Sequence, residues 1–224
     1  MTDLLIFFVP GLFYHSFATF YLLKWGFRSK QLFFGDDMAL HPVLETGRLL
    51  LRHFLMDDCC DVVRMAGDPE IAANTSSIPH PYEYNMAVDW IKSHRESFAA
   101  GKGVIFAITD RQDGNLIGAI GLMIDAGNEK AELGYWIGRQ YWSEGYATEA
   151  GKAVMEYGFT SLGLNRIFAR HFSRNPASGR VMQKLGMKYE GCLRGDVKKN
   201  GNFEDLELYG LLKADYDNRS NMAL

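Results

Sequence analysis

The chain has 224 residues, 47% apolar and 23% charged, with a net charge of −3, a composition ordinary for a soluble globular protein. That length suits one domain, or one domain with an appendage, and a sizeable core. No basic surplus supports nucleic-acid binding, and Cys59, Cys60 and Cys192, without C-x-x-C or metal-ligand spacing, read as free thiols in a reducing compartment.

Residues 1–37 differ from the rest. Leu4 to Leu23 is dominated by Leu, Phe, Tyr, Ile and Val, interrupted by Pro10, Gly11 and His15, and approaches the length of a membrane span. No Lys or Arg precedes it, while Lys24, Arg28 and Lys30 follow. This is a poor cleavable signal peptide, and the positive-inside bias would leave the remainder in the cytoplasm. Three readings stay open: a stretch upstream of a true start at Met38, an apolar anchor, or a docked extra helix. The expected division is an N-terminal extension, 1–37, and a cytoplasmic domain, 38–224.

Leu49, Leu50 and Leu51, between Arg48 and Arg52, form a first short strand. Asp57-Asp58 stand where an N-cap belongs, Val62, Val63 and Ala66 make a helical stripe, and Asp68-Pro69 breaks that helix. The stretch from Ile71 to Tyr84 is expected to be irregular, with Pro79 and Pro81 stiffening it. A helix follows through Ala87, Trp90, Ile91 and His94 to Phe98. Val104 to Thr109 and Leu116 to Met123 read as strands joined by a hairpin at Asp113-Gly114-Asn115. Leu133 to Ile137 is a further strand, rich in types that fit a half-buried pleated surface.

After that strand, Gly145 permits a tight turn. Ala147, Ala150, Gly151, Val154, Met155, Gly158, Phe159 and Leu162 then recur at steps of three and four, as in an amphipathic helix. A strand feeding such a turn into a helix N-terminus aims unpaired N–H groups, with the helix dipole behind them, at an anion, foremost a phosphate. Arg166 to Phe172 is the next strand, parallel to Leu133–Ile137 because a helix joins them. Asn175 is a good N-cap, Pro176 suits the first helical position and Gly186 the C′ position of another helix. Two strands flank the turn Lys198-Lys199-Asn200-Gly201, and Asn218 to Leu224 look frayed.

Two strings now carry a resemblance. Trp142, Gly145, Ala147, Thr148, Glu149 and Ala150 fill the pattern W-x-x-G-x-A-T-E-A, and Asn175, Ser178, Val181, Lys184, Leu185 and Gly186 fill N-x-x-S-x-x-V-x-x-K-L-G-F, with Met187 for Phe. Both are similar to the Gcn5-related N-acetyltransferase (GNAT) superfamily, in the RimJ/RimL-like branch that acetylates ribosomal-protein N-termini. The resemblance runs from Leu44 to Lys213. It implies an α/β (α+β) fold: a mixed, mostly antiparallel GNAT sheet with splayed central parallel strands, flanked by helices. It implies acetyl-CoA as cosubstrate, bound by Trp136, Ile137, Trp142, Ser143, Glu144, Gly145, Tyr146, Ala147, Thr148, Asn175 and Ser178. Trp142 stands where many members carry Arg or Gln, so the phosphate grip there falls to the backbone. The region of His80, Tyr82 and Glu83 is expected to wall the acceptor side and contact the incoming amine.

Acetyl transfer from a thioester to an amine needs a base for the amine, donors for the tetrahedral oxyanion and a proton for the departing thiolate. Glu132 matches the base carboxylate of the histone-acetylating members, with Asp196, Glu204 and Asp205 as competitors. Much of the superfamily places a proton-donating Tyr seven residues after the Asn. Here that position is Met182, so Ser178 is the expected donor. A backbone N–H around Ile137 would hold the oxyanion. The function expected is acetylation of a primary amine, foremost a protein N-terminal α-amine, with a spermidine-like polyamine as the alternative and a non-catalytic acyl-CoA sensor as another. Partners are the amine acceptor and, as an open option, a second copy in a homodimer. Nucleic acid is not expected, nor a membrane unless residues 4–23 are an anchor. No nucleotide phosphate loop, dinucleotide fingerprint, nucleophile elbow or metal motif appears in the sequence.

Overall fold

A computed structural model describes residues 41–222, so the readings of residues 1–37 lie outside the described residues. Eight strands are seen: β1 (Leu44–Glu45), β2 (Leu49–Arg52), β3 (Gly103–Asp110), β4 (Leu116–Asp125), β5 (Lys130–Ile137), β6 (Arg166–Phe172), β7 (Lys188–Lys199) and β8 (Asn202–Leu212). They form one sheet in the order β1-β2-β3-β4-β5-β6-β8-β7. Every neighbouring pair is antiparallel except β5 and β6. Six helices complete the described chain: α1 (Cys59–Ala66), α2 (Pro69–Asn74), α3 (Tyr84–Ala99), α4 (Tyr146–Thr160), α5 (Pro176–Lys184) and α6 (Lys213–Met222). None is long and apolar enough to cross a membrane.

The sheet is covered on both faces. Phe106, Ile108, Ile120, Leu122, Leu133 and Ile167 pack with Val154, Met155 and Phe159 of α4, while Ile105, Ala107, Ala119 and Trp136 pack with α1 and α3. Burial on both sides explains why β3 and β4 read as near-continuous apolar runs instead of alternating ones. Gly158 of α4 permits that packing: a Cβ there would meet Ile167 Cδ1 at 2.8 Å. The β7–β8 turn places Asn200 and Gly201 at φ 49° and 87°, the left-handed pair that a two-residue hairpin requires.

Three local expectations are corrected. Asp68-Pro69 ends one helix but also starts another, since Asp68 accepts from the Glu70 N–H at 2.8 Å and Pro69 takes the first position of α2, where a missing N–H is harmless. Irregular chain is therefore confined to about residues 75–83. Asp58 does not cap α1 through its side chain. Its carboxylate is held by Arg52 at 2.7 and 2.8 Å and by the Leu55 N–H at 2.7 Å, tying β2 to α1. The C-terminal stretch is helical in α6 as far as Met222, beyond the expected fraying at Asn218.

The feature that makes a site is the short parallel ladder. β5 and β6 pair only over Lys130–Glu132 and Arg166–Phe168, yet the strands continue to Ile137 and Phe172. Past Glu132 they splay apart.

Candidate active site

The splay exposes the edge of β5. Gly138 N–H bonds to the Ile117 carbonyl at 2.8 Å, and antiparallel bonding alternates. Trp136, Gly134 and Glu132 therefore spend their backbone groups on β4. Tyr135 and Ile137 turn theirs toward the gap, where an extended amide-bearing ligand can pair with them.

At the end of β5 the chain bends through a 3-10 turn, Arg139–Tyr141, into α4. The Trp142 indole N–H donates to the Ile137 carbonyl at 2.7 Å, which clamps the turn to the strand. Ser143 and Gly145 both have left-handed φ, 68° and 83°. With glycine at the cap position no side chain covers the first amides of α4. Those N–H groups, around Tyr146, Ala147 and Thr148, face outward at the positive end of the helix dipole, a geometry suited to a phosphate. Glu144 precedes the cap, and its carbonyl accepts from Arg48 at 3.0 Å.

Glu149, part of the same sequence string, has an internal role. Its carboxylate accepts from Thr46 Oγ1 at 2.6 Å, from the Arg48 N–H at 2.9 Å and from Arg48 Nε at 2.8 Å. Arg48 also lies over the Tyr146 ring, 4.4 Å from its centre. Burial acts to raise the Glu149 pKa, but the bonds from Thr46 and Arg48 outweigh it and hold the carboxyl below the usual range. The turn before α4 is thus latched to the β1–β2 hairpin.

On the other side of the gap, α5 begins as expected. Asn175 caps it through its side chain, Pro176 follows, and Gly186 sits at φ 84° beyond its end. Ser178 in the first turn shares a hydrogen bond of 2.7 Å with the Tyr135 hydroxyl, and Tyr135 also donates to the Ser178 carbonyl at 3.2 Å. Burial pushes the Tyr135 phenol up to about 12, with the Ser178 bond acting the other way, so it remains protonated at neutral pH. Met182 is 1% exposed and belongs to the core.

In front of the splay, between the sheet and α1 and α3, lies a cavity of about 610 Å³. Glu132, Gly134, Tyr135 and Trp136 form one wall, and the loop from Asn74 to Pro79 forms another. Glu132 receives both prongs of Arg170, Nε at 3.0 Å and Nη2 at 2.9 Å. Asp196 stands on the other side of the same guanidinium, at 3.6 Å. Two carboxylates thus share one cation, and Asp196 stands outside the residues that line the cavity. The other carboxylates considered are engaged elsewhere: Glu204 binds Arg174 at 3.0 Å and Asp205 accepts from the Gly195 N–H at 2.7 Å.

Of the three residues expected to contact an acceptor, Tyr82 lines the cavity, and burial pushes its phenol up to about 12. His80 lies outside the lining, its Nδ1 3.1 Å from the Gly67 carbonyl. Glu83 is exposed at the cap position of α3. Sequence reasoning missed Arg170, Tyr135, Arg48 and Lys199, none of which sits in a recognisable local string.

From the far half of the sheet, Lys199 straps the cavity loop and Arg174 the end of α2 that leads into it. Lys199 is only 8% exposed and donates to the Ile78 carbonyl at 2.7 Å. Arg174 donates to the Ala73 carbonyl at 2.6 Å. Burial, with the Arg174 charge adding to it, holds the Lys199 ammonium below the ordinary lysine range. A buried cation spent on a loop carbonyl positions that loop. Lys199→Met should therefore raise the acceptor KM about tenfold, the equivalent of one lost charged hydrogen bond, with little change in acetyl-CoA KM; steady-state kinetics varying each substrate checks this. Among the described residues no group of three or more His, Cys, Asp and Glu could hold a metal ion.

Residues 48–188 match the acetyltransferase (GNAT) domain family. An uncharacterized N-acetyltransferase of Bacillus licheniformis, p20, is 34% identical over 174 residues, covering 77% of this chain and 97% of the relative. Among solved structures, a ribosomal-protein-S5-alanine acetyltransferase from Vibrio fischeri superposes with a TM-score of 0.70 at 19% identity, covering 78% of this chain and 98% of that one. A spermidine N-acetyltransferase from Vibrio cholerae, in complex with CoA and spermine, gives 0.67 at 22% identity, covering 76% and 99%. Proteins named for a protein acceptor and for a polyamine thus share this fold, and the acceptor has to be read from the cavity of this chain.

Proposed function

The chain belongs to the GNAT acetyltransferase family and is an acetyl-CoA-dependent N-acetyltransferase; from that premise we propose that its acceptor is a protein or peptide N-terminal α-amine. The observation that carries this reading is the make-up of the cavity. Among its lining residues the carboxylates are Glu132, already paired with Arg170, and Asp89, which is exposed on α3. A polyamine brings further ammonium groups that need their own carboxylates, because moving an unpaired charge out of water costs several kcal/mol. A peptide N-terminus brings one.

The residues divide the chemistry as follows. Acetyl-CoA lies with its pyrophosphate on the turn Trp142–Thr148 and its amide-bearing arm along the open edge of β5, between Asn175 and Trp136. The acceptor enters from the cavity. Glu132 takes the amine proton, directly or through a water, while Arg170 fixes its orientation; each carboxylate oxygen keeps acceptor capacity beyond its bond to Arg170. The nitrogen attacks the thioester carbonyl, and a gap-facing N–H of β5, of which that of Tyr135 stands nearer Glu132 than that of Ile137, receives the oxyanion. The C–S bond then breaks and the thiolate takes a proton from Ser178, whose hydroxyl Tyr135 orients.

Release of CoA thiol in the presence of acetyl-CoA and a peptide, with the product mass showing one acetyl group on the α-nitrogen, tests the acceptor. Acetylation of spermidine with no turnover of any peptide would sink it. For the proton donor, Ser178→Ala is expected to slow turnover about 10²-fold with acetyl-CoA affinity nearly intact. A loss confined to melting temperature would mean that the hydroxyl only supports the helix start.

A further inference from the structure

Strand register builds the floor of the cavity. On the face toward α1 and α3, Glu132 stands opposite Met123, Gly134 opposite Gly121 and Trp136 opposite Ala119. Gly121 in turn pairs with Ile105 on β3. Two glycines side by side on neighbouring strands add no side chain of their own to this floor, and Ile105, whose Cγ1 lies 2.9 Å from where a Cβ of Gly121 would stand, narrows the trough on the β3 side. One end of the trough is Glu132; the other is Trp136, four residues along the strand and so about 13 Å away. At that far end the Trp90 ring of α3 lies 6.4 Å from the Trp136 ring, centre to centre. Ala119 beneath them is too small to fill the space, and Met86 and Ile78 close the sides.

A trough of this kind is acidic at one end and aromatic at the other. We infer that the acceptor carries a large apolar group on the carbon that bears the amine, so that the favoured peptide begins with Phe, Leu or Met instead of Ser, Ala or Gly. This rests on the N-terminal α-amine reading and names the side chain that follows the nitrogen. The amine sits at Glu132, the first side chain lies along Gly134 and Gly121 toward the two indoles, and the rest of the peptide leaves by the mouth near Asp89. A second ammonium at the aromatic end would gain cation–π contact but would lie away from Glu132, and the desolvation of a charge exceeds what such a contact returns.

The test is a set of pentapeptides identical except for the first residue, Phe, Leu, Met, Ala or Ser, together with spermidine, each assayed with acetyl-CoA for thiol release and product mass. Phe-, Leu- and Met-first peptides are expected to exceed the Ser-first peptide by about 10²-fold in kcat/KM, the discrimination an apolar pocket achieves. Ser- or Ala-first peptides matching or beating them overturns the inference and leaves the α-amine reading standing. Spermidine as the sole substrate, or no peptide turned over, overturns both. Met86→Trp and Ile78→Trp each add bulk beside the trough, from a helix and from a loop, so one remains informative if the other misfolds. In either variant, folding being checked by thermal melting, the Phe-over-Ala preference should collapse below about tenfold. An unaltered preference in both shows that the first side chain lies elsewhere and overturns the inference.

Discussion

Glu132→Gln is expected to lower kcat by about 10²- to 10⁴-fold, the usual contribution of a positioned general base, while acetyl-CoA KM stays within about twofold. The reason is position. Glu132 is the last residue of β5 paired with β6, so its side chain stands where the strands part and the cavity begins. Gln preserves the shape but offers no site for the amine proton. A fall in kcat with acetyl-CoA KM and folding retained separates chemistry from structure. Melting must be followed as well, because removing one partner from a mostly buried pair costs about 3 kcal/mol when the remaining charge is uncompensated; Asp196, 3.6 Å from Arg170, offsets part of it. An unchanged rate would remove Glu132 as the base and pass the role to Asp196.

The second large effect is expected at Glu149. Glu149→Ala removes one carboxylate that takes hydrogen bonds from Thr46 and twice from Arg48, and it frees the turn before α4 from the β1–β2 hairpin. Charge-assisted bonds of this kind contribute about 1.5–3 kcal/mol, so a loss of about 3 kcal/mol and a fall in Tm of roughly 6–12 °C are expected for a domain of this size. Acetyl-CoA KM should rise with it, since the amides proposed to meet the pyrophosphate lie one turn away. The pH dependence has a definite sign. The Glu149 carboxyl is held below its ordinary value, so its contribution is full above the ordinary carboxylate range and is lost as pH falls through the folded-state value. Wild type and variant should therefore differ most at neutral pH and converge in acid. Equal Tm values at pH 7 would show that the latch contributes nothing.

What could be read ahead of the structure depended on how locally each feature is satisfied. Asn175, Pro176 and Gly186 bracket α5 as expected because each acts within its own turn. Asp68 and Asp58 show the limit of the same logic. Both are acidic residues in front of a helical pattern, yet Asp68 caps α2 while Asp58 is drawn away by Arg52, six residues earlier. No local rule says which partner wins when a guanidinium is brought within reach. The start of α2 is hard to read for a related reason: Pro69 reads as a break, and the same residue is also well suited to begin a helix.

The sequence by itself determined strands β2 to β8 and helices α1, α3, α4 and α5 in their order, the phosphate-suited turn at Gly145 and the helix start at Asn175, because these follow from periodicity and capping over a few residues; β1, α2 and α6 were not among them. Only the tertiary structure decided which charges and hydroxyls face one another. Arg170 meets Glu132 across 38 residues of chain, Tyr135 meets Ser178 across 43, and Lys199 meets Ile78 across 121. Such pairs follow from sheet register, and a slip of one residue turns every side chain to the opposite face. The trough of Gly121 and Gly134 is of the same origin: two ordinary glycines become the floor of a cavity only because β4 and β5 align them.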